Sequence, residues 1–289
     1  MANGHEWAAG ARPRTLPAAV APVLLGTGAA AQLGAASLGR AVLAGVVALA
    51  LQVGVNFAND YSDGVRGTDV DRVGPMRLTA SGAARPGQVK AAAFAAFGLA
   101  ALAGLALVAV SAHWWLLAVG AAAILAAWFY TGGKRPYGYR GLGEVGVFVF
   151  FGLVATLGTT YTQAGRLSWP AWAGAIGTGL LACALLMVNN LRDIPTDALS
   201  GKRTLAVRLG DHRARLAYQW LVTLPILLGV ACAFVAPWSL LVVLLGAAVA
   251  VLVTAVRAGA RGIALVPVLA GTGMLQLGFG VLLGRGLAV

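Results

Sequence analysis

The chain has 289 residues, of which 60% are hydrophobic and only 10% charged, and its mean hydropathy is +0.83. A soluble domain of this length carries about a quarter charged residues, so a protein with its whole surface in water is excluded and an integral membrane protein is expected. The net charge of +12 would suit a nucleic-acid partner, but the basic residues lie in short segments between apolar runs, which excludes that class.

A spanning helix needs about 20 mostly apolar residues. Nine such segments are predicted, over 15–34, 41–60, 89–110, 113–131, 143–162, 171–190, 215–235, 238–256 and 263–284. Met1–Arg14 lacks the basic, apolar, small-residue order of a signal peptide, and no cleavable leader is expected. It ends in Arg12-Pro13-Arg14-Thr15-Leu16-Pro17, which opens the first span with the charge of an interfacial anchor.

The second span ends in Gln52-x-x-x-Asn56-x-x-Asn59-Asp60-x-x-Asp63. Offsets of three and four place these side chains on one helix face. The basic residues Arg72 and Arg77 follow. The fourth span ends in Tyr130-Thr131-Gly132-Gly133-Lys134-Arg135-Pro136-Tyr137, where Tyr130 and Lys134 would share a face if the helix continued. The sixth span ends in Asn189-Asn190-Leu191-Arg192-Asp193-Ile194-Pro195-Thr196-Asp197, followed by Lys202 and Arg203. Asn190, Asp193 and Asp197 share a face if Pro195 leaves the helix intact. Cys183 and Cys232 sit in apolar stretches and read as small buried hydrophobes rather than a disulfide pair. His5, His113 and His212 have no metal-ligand spacing.

Eighteen Lys and Arg flank one side of these nine spans and three (Arg40, Arg166 and Arg285) the other, together the 21 of the chain. The positive-inside rule then predicts a cytoplasmic N-terminus and an outside C-terminus in the plasma membrane. Both acidic clusters end even-numbered spans, so both reach the cytoplasmic face as a parallel repeat of four spans. Six of the nine acidic residues fall in these two stretches (Asp60, Asp63, Asp69, Asp71, Asp193 and Asp197). A carboxylate near a span is costly unless it has a function. Paired oxygen ligands suit a hard cation such as Mg²⁺, which keeps few carboxylates and completes its shell with phosphate and water. The neighbouring basic residues add an anionic ligand to that balance.

At these residues the sequence resembles the UbiA superfamily of intramembrane prenyltransferases. Asn59-Asp60-x-x-Asp63 looks like its first aspartate-rich motif, Asp193-x-x-x-Asp197 its second, and Tyr130-x-x-x-Lys134 its Tyr/Lys pair. Where the family carries a further Asp, this chain has Gly67, with Asp69 two residues on. That variant resembles the 1,4-dihydroxy-2-naphthoate polyprenyltransferase branch. So do Asp71-Arg72-x-Gly74-Pro75-x-Arg77-Leu78, the run from Lys134 to Glu144, and Gly201-Lys202-Arg203-Thr204-Leu205-Ala206-Val207-Arg208-Leu209-Gly210.

The resemblance implies an all-α fold of nine transmembrane helices, in two pseudo-repeated four-helix halves plus one. It implies one transmembrane domain over 1–289, capped by loops at about 61–88 and 193–214. It implies transfer of a polyprenyl group from polyprenyl diphosphate to dihydroxynaphthoate, with loss of CO₂. Asp60, Asp63, Asp69, Asp193 and Asp197 would hold Mg²⁺. Asn56, Asn59, Arg72, Lys134, Asn190, Lys202 and Arg203 would bind diphosphate. Tyr130 would shield the allylic cation or orient the acceptor, with Arg12 or Arg14 on its carboxylate. No nucleophilic side chain is needed, and no protein partner beyond the bilayer is expected. The rival readings are another aromatic acceptor of the 4-hydroxybenzoate type and a cation-coupled transporter, which would need its charges nearer the membrane midplane.

Overall fold

The structure, a computed structural model, describes residues 2–68 and 76–289. A short helix, α1 (Gly4–Gly10), precedes nine longer segments. They are α2 (Pro17–Gln32), α3 (Leu38–Arg66), α4 (Pro86–Ser111), α5 (Leu116–Phe129), α6 (Gly143–Ala164), α7 (Trp169–Leu199), α8 (Leu205–Phe234), α9 (Pro237–Arg257) and α10 (Gly262–Ala288). Each of the nine predicted spans falls on one of them, and no strand occurs among the described residues. Seven are long and apolar enough to cross a membrane unaided. The residues before α2 meet it at a 50° bend to make an eighth, and α5 is a shorter apolar helix. The protein is an all-helical, multi-pass membrane protein.

The two helices that carry the acidic clusters are long: α3 has 29 residues and α7 has 31. At 1.5 Å per residue they run about 44 and 46 Å, against a hydrocarbon thickness of about 30 Å. The surplus leaves the last turns of each outside the hydrocarbon, which lowers the cost of their carboxylates. The cap loops are therefore shorter than expected, since helix continues to Arg66 and, through Pro195, to Leu199. Helix α3 stops at Gly67, whose φ of 71° is left-handed and costs glycine nothing. Its N–H bonds the Gly64 carbonyl and closes the last turn.

The half-repeat is visible in the packing. Helix α3 lies along α4 as α7 lies along α8, and α10 closes the ring against α2. That last contact runs on small residues: a Cβ at Gly28 would come within 2.0 Å of the Gly284 carbonyl oxygen. The larger core centres on α7 through α10, with Met187, Tyr218, Val222 and Phe279 buried. Trp114, Trp115, Trp169 and Trp238 are exposed at the end opposite the acidic clusters, as an interfacial aromatic belt requires. Helix α6 widens into a π-helical stretch over Phe148–Val154, and this segment faces the cavity between the halves.

Candidate active site

A cavity of about 550 Å³ lies between the two halves. Its body is lined by small and aliphatic residues of α2 to α6, with Thr159 and Thr162 at its far end, and its charged and amide residues gather toward the end where α3 and α7 stop. On α3 the stripe Gln52, Asn56, Asn59 and Asp63 faces it; on α7, Asn190, Asp193 and Asp197 do. Lys202, Tyr130 and Arg12 complete the set that sequence placed there.

The carboxylates are charge-compensated. Lys202 Nζ stands 3.7 Å from Asp63 Oδ2 and 3.9 Å from Asp197 Oδ1, bridging the two helices. Arg192 holds Asp193 with two parallel bonds of 2.7 Å from Nε and Nη2, and its Nη2 also donates to Asn189 Oδ1. Tyr139 donates its hydroxyl to Asp63, and the Lys202 ammonium lies 4.8 Å above the same ring. Burial, and next the charge of Asp63, push the Tyr139 phenol well above its ordinary value. It therefore stays a donor throughout the physiological range.

Other polar residues act as braces. Asn59 accepts from the Thr131 hydroxyl at 2.7 Å. Arg66 donates to the carbonyls of Thr131 and Gly133, fastening the loop after α5 to the end of α3. Asn190 donates to Glu144 Oε1 at 3.3 Å. Gln52 donates to Thr15 Oγ1, and Asn56 to Thr15 Oγ1 and the Ala11 carbonyl, at 2.9–3.1 Å. Between those anchors Arg12 adopts φ 55° and ψ 69°, a left-handed conformation unusual for a side-chain-bearing residue. Thr15 holds it there by donating twice, from N and Oγ1, to the Arg12 carbonyl, while its Oγ1 accepts from Gln52 and Asn56. Strain of about 1 kcal/mol or more persists only where surroundings over-determine it. Here it turns the Arg12 guanidinium to the cavity, with Nη2 buried and without a hydrogen-bond partner among the described residues.

Four expected site residues do not reach the cavity. Asp60 lies one step round α3 from the stripe, and its two carboxylate oxygens accept the N–H groups of Leu78 and Thr79 at 2.8 Å. It ties a loop to the helix. Lys134 is exposed because α5 ends at Phe129, so the four-residue offset from Tyr130 is no longer a helical one. Arg14 and Arg203 are exposed and point elsewhere. Asp69 and Arg72 lie outside the described residues. Sequence reasoning did not assign Arg77 or Tyr139 to the site, yet both line the cavity, Arg77 from the basic run after α3 and Tyr139 from the loop after α5.

No three acidic, His or Cys side chains converge as a ready-made metal cage among the described residues. That donor set still fits Mg²⁺, which takes one or two carboxylates and relies on phosphate oxygens and water for the rest. Asp63, Asp193 and Asp197, with neighbouring amides, supply hard oxygen donors from two helices at one cavity end.

The profile of the UbiA prenyltransferase family matches residues 19–280. The chain is 55% identical over 278 residues to the 1,4-dihydroxy-2-naphthoate octaprenyltransferase of Mycobacterium tuberculosis, covering 96% of this chain and 94% of that protein. It is 44% identical over 221 residues to the enzyme of the same name from Escherichia coli, covering 74% and 72%. In fold it is similar to a UbiA homolog from Archaeoglobus fulgidus bound to DMAPP and Mg²⁺, with a TM-score of 0.70 at 16% identity, covering 98% of this chain and 99% of that one. A UbiA homolog from Aeropyrum pernix K1 gives 0.68 at 15% identity, covering 93% and 96%.

Proposed function

The chain belongs to the UbiA prenyltransferase family, and from that premise we propose that it transfers a polyprenyl group from polyprenyl diphosphate to 1,4-dihydroxy-2-naphthoate. Diphosphate and CO₂ are released and demethylmenaquinol is formed. The observation that carries this reading is the polarity of the cavity: a long apolar body ends at facing carboxylates and cations from α3 and α7. The body suits an isoprenoid tail, and the polar end suits a diphosphate with its metal. The site faces the cytoplasm in the orientation set by the Lys and Arg distribution.

Asp63, Asp193 and Asp197 would hold Mg²⁺, which supplies positive charge to the leaving diphosphate oxygens. Lys202 and Arg77 line the same end and meet the phosphates. As the carbon–oxygen bond breaks, its electron pair leaves with diphosphate and an allylic cation remains. Donors already fixed in place stabilise the growing charge on oxygen without reorganising. Tyr130 lines the cavity with its ring packed edge-on against Tyr137, 5.5 Å between centroids, and offers a π face to the cation. The electron-rich naphthoate ring attacks the cation and forms the new carbon–carbon bond; loss of CO₂ leaves its bonding pair in the ring. Arg12, whose buried Nη2 lacks a partner, is the group we assign to the acceptor carboxylate.

The test is direct. Purified protein in lipid, given dihydroxynaphthoate, Mg²⁺ and polyprenyl diphosphates of several lengths, should yield the decarboxylated prenyl naphthoquinol by mass. Exclusive use of a competing 4-hydroxybenzoate would overturn the acceptor; no prenylated product from any acceptor would overturn the reaction.

A further inference from the structure

A second polar concavity opens beyond Tyr139, outside the cavity just described. It lies between the loop after α5 and the connection from α7 to α8, and its walls are Arg135, Arg140, Arg203 and Arg208, with Tyr139 and Gly201. The two loops are fastened to each other. The Arg203 N–H donates to the Tyr139 carbonyl at 2.8 Å, and Arg208 Nε donates to the Arg203 carbonyl at 3.2 Å. The Arg208 side chain lies across Gly141 (φ 72°), where a Cβ would stand 2.8 Å from Nε. One backbone bond joins the two loops and one side-chain bond braces the second, and the four arginines stand exposed around the concavity.

None of the four arginines has a carboxylate within ion-pair distance among the described residues. Four guanidinium groups around one concavity concentrate positive potential. Their planar donors match phosphate oxygens in pairs. Tyr139 lines both basin and cavity, its hydroxyl on Asp63 and its ring beneath Lys202.

We propose that this basin is a second, metal-independent phosphate-binding site, and that it takes inorganic diphosphate as it leaves the cavity. Diphosphate as the occupant rests on the prenyl-transfer reading; the binding site itself does not. In the cavity the product anion lies among the carboxylates of Asp63, Asp193 and Asp197. In the basin the nearest side chains are cationic, so the anion moves down a gradient of potential past one aromatic ring. The basin accordingly speeds product release.

The experiment uses the intact protein in nanodiscs of zwitterionic lipid, titrated with inorganic diphosphate in the presence of a chelator, so that metal-dependent binding in the cavity is silent. One site is expected. Its affinity should fall by about tenfold or more in R135Q/R140Q, and again in R208Q, which alters the opposite loop. Single-turnover prenyl transfer should stay within about twofold of the unaltered protein in both variants, because the chemical step does not use these side chains. No metal-independent binding, or binding indifferent to both variants, overturns the site. A single-turnover rate that falls with the affinity in both variants also overturns it, placing the arginines in the cavity's own machinery. Repeating the titration in discs with anionic phospholipid separates the sources of phosphate. Unchanged diphosphate affinity supports the free anion, whereas competitive loss shows that lipid headgroups fill the basin and overturns its role in product release.

Discussion

The ends of α3 and α7 are two versions of one design: they share an asparagine and an aspartate, Asn59 with Asp63 and Asn189 with Asp193, and differ at most of the polar positions around them. With Asp63 set against Asp193, Asp60 stands where α7 has Asn190, and both brace neighbouring chain, one the backbone at Leu78 and Thr79, the other Glu144. Ser62 stands where α7 has Arg192, so Asp193 draws its counter-charge from its own helix while Asp63 draws on Tyr139 and Lys202 from elsewhere. Gly67 stands where α7 has Asp197: α3 ends at that residue, while α7 runs another turn and offers a second carboxylate. Gln52 and Asn56 stand where α7 has Ala182 and Leu186, and they hold the turn that aims Arg12. An internal repeat therefore gave two helices of the same direction but different work. Among the described residues, α7 brings two carboxylates to the cavity and α3 one, and α3 organises the parts around them.

The comparison breaks first at the shared aspartates. Asp63→Asn and Asp193→Asn should each lower kcat by about a hundredfold or more, as loss of preorganised charge at a leaving group does, while both proteins insert and melt normally. Near-full turnover in either purified variant would remove its role at the metal. The second effect is on the acceptor. Arg12→Gln should raise KM for dihydroxynaphthoate about tenfold or more through loss of a charge-assisted pair, with KM for the prenyl diphosphate unchanged. An equal rise in both constants would place Arg12 on the phosphates.

Asp60 sharpens the difference between brace and ligand. Asp60→Ala strands two backbone N–H groups and should cost about 1–3 kcal/mol of stability, seen as a lower melting temperature. Activity per folded molecule should exceed that of Asp63→Asn. If the two variants are equally inactive when folded, Asp60 belongs with the metal after all. The smallest effect is expected from Gly67→Asp, which restores the carboxylate usual in the family. Its left-handed φ makes the substitution cost about 1 kcal/mol, and metal affinity should not rise. A tighter metal site in that variant would show that α3 and α7 can be made equivalent.

The same residues mark how far the sequence could be read. Offsets of three and four put Gln52, Asn56, Asn59 and Asp63 on one face, and that face does line the cavity. Local spacing cannot separate Asp60 from that stripe, because a step of about 40° decides between a cavity and a loop, and the loop is fixed by residues 18 and 19 positions away. The pairing of Tyr130 with Lys134 presumed a helix that the turn at Gly132 and Gly133 ends.

Sequence by itself determined that this chain lives in a membrane, that it has nine apolar segments, and that two polar stripes end the second and sixth on one side. Those follow from hydropathy and helical period, which are local properties of the chain. Only the tertiary structure decided which charges meet. Lys202 joins Asp63 to Asp197, Tyr139 lines both the cavity and an arginine basin, and Arg12 turns inward while Arg14 and Arg203 stay outside. Each depends on the path of a loop, and each loop is set by hydrogen bonds to residues far along the chain, which no local pattern encodes.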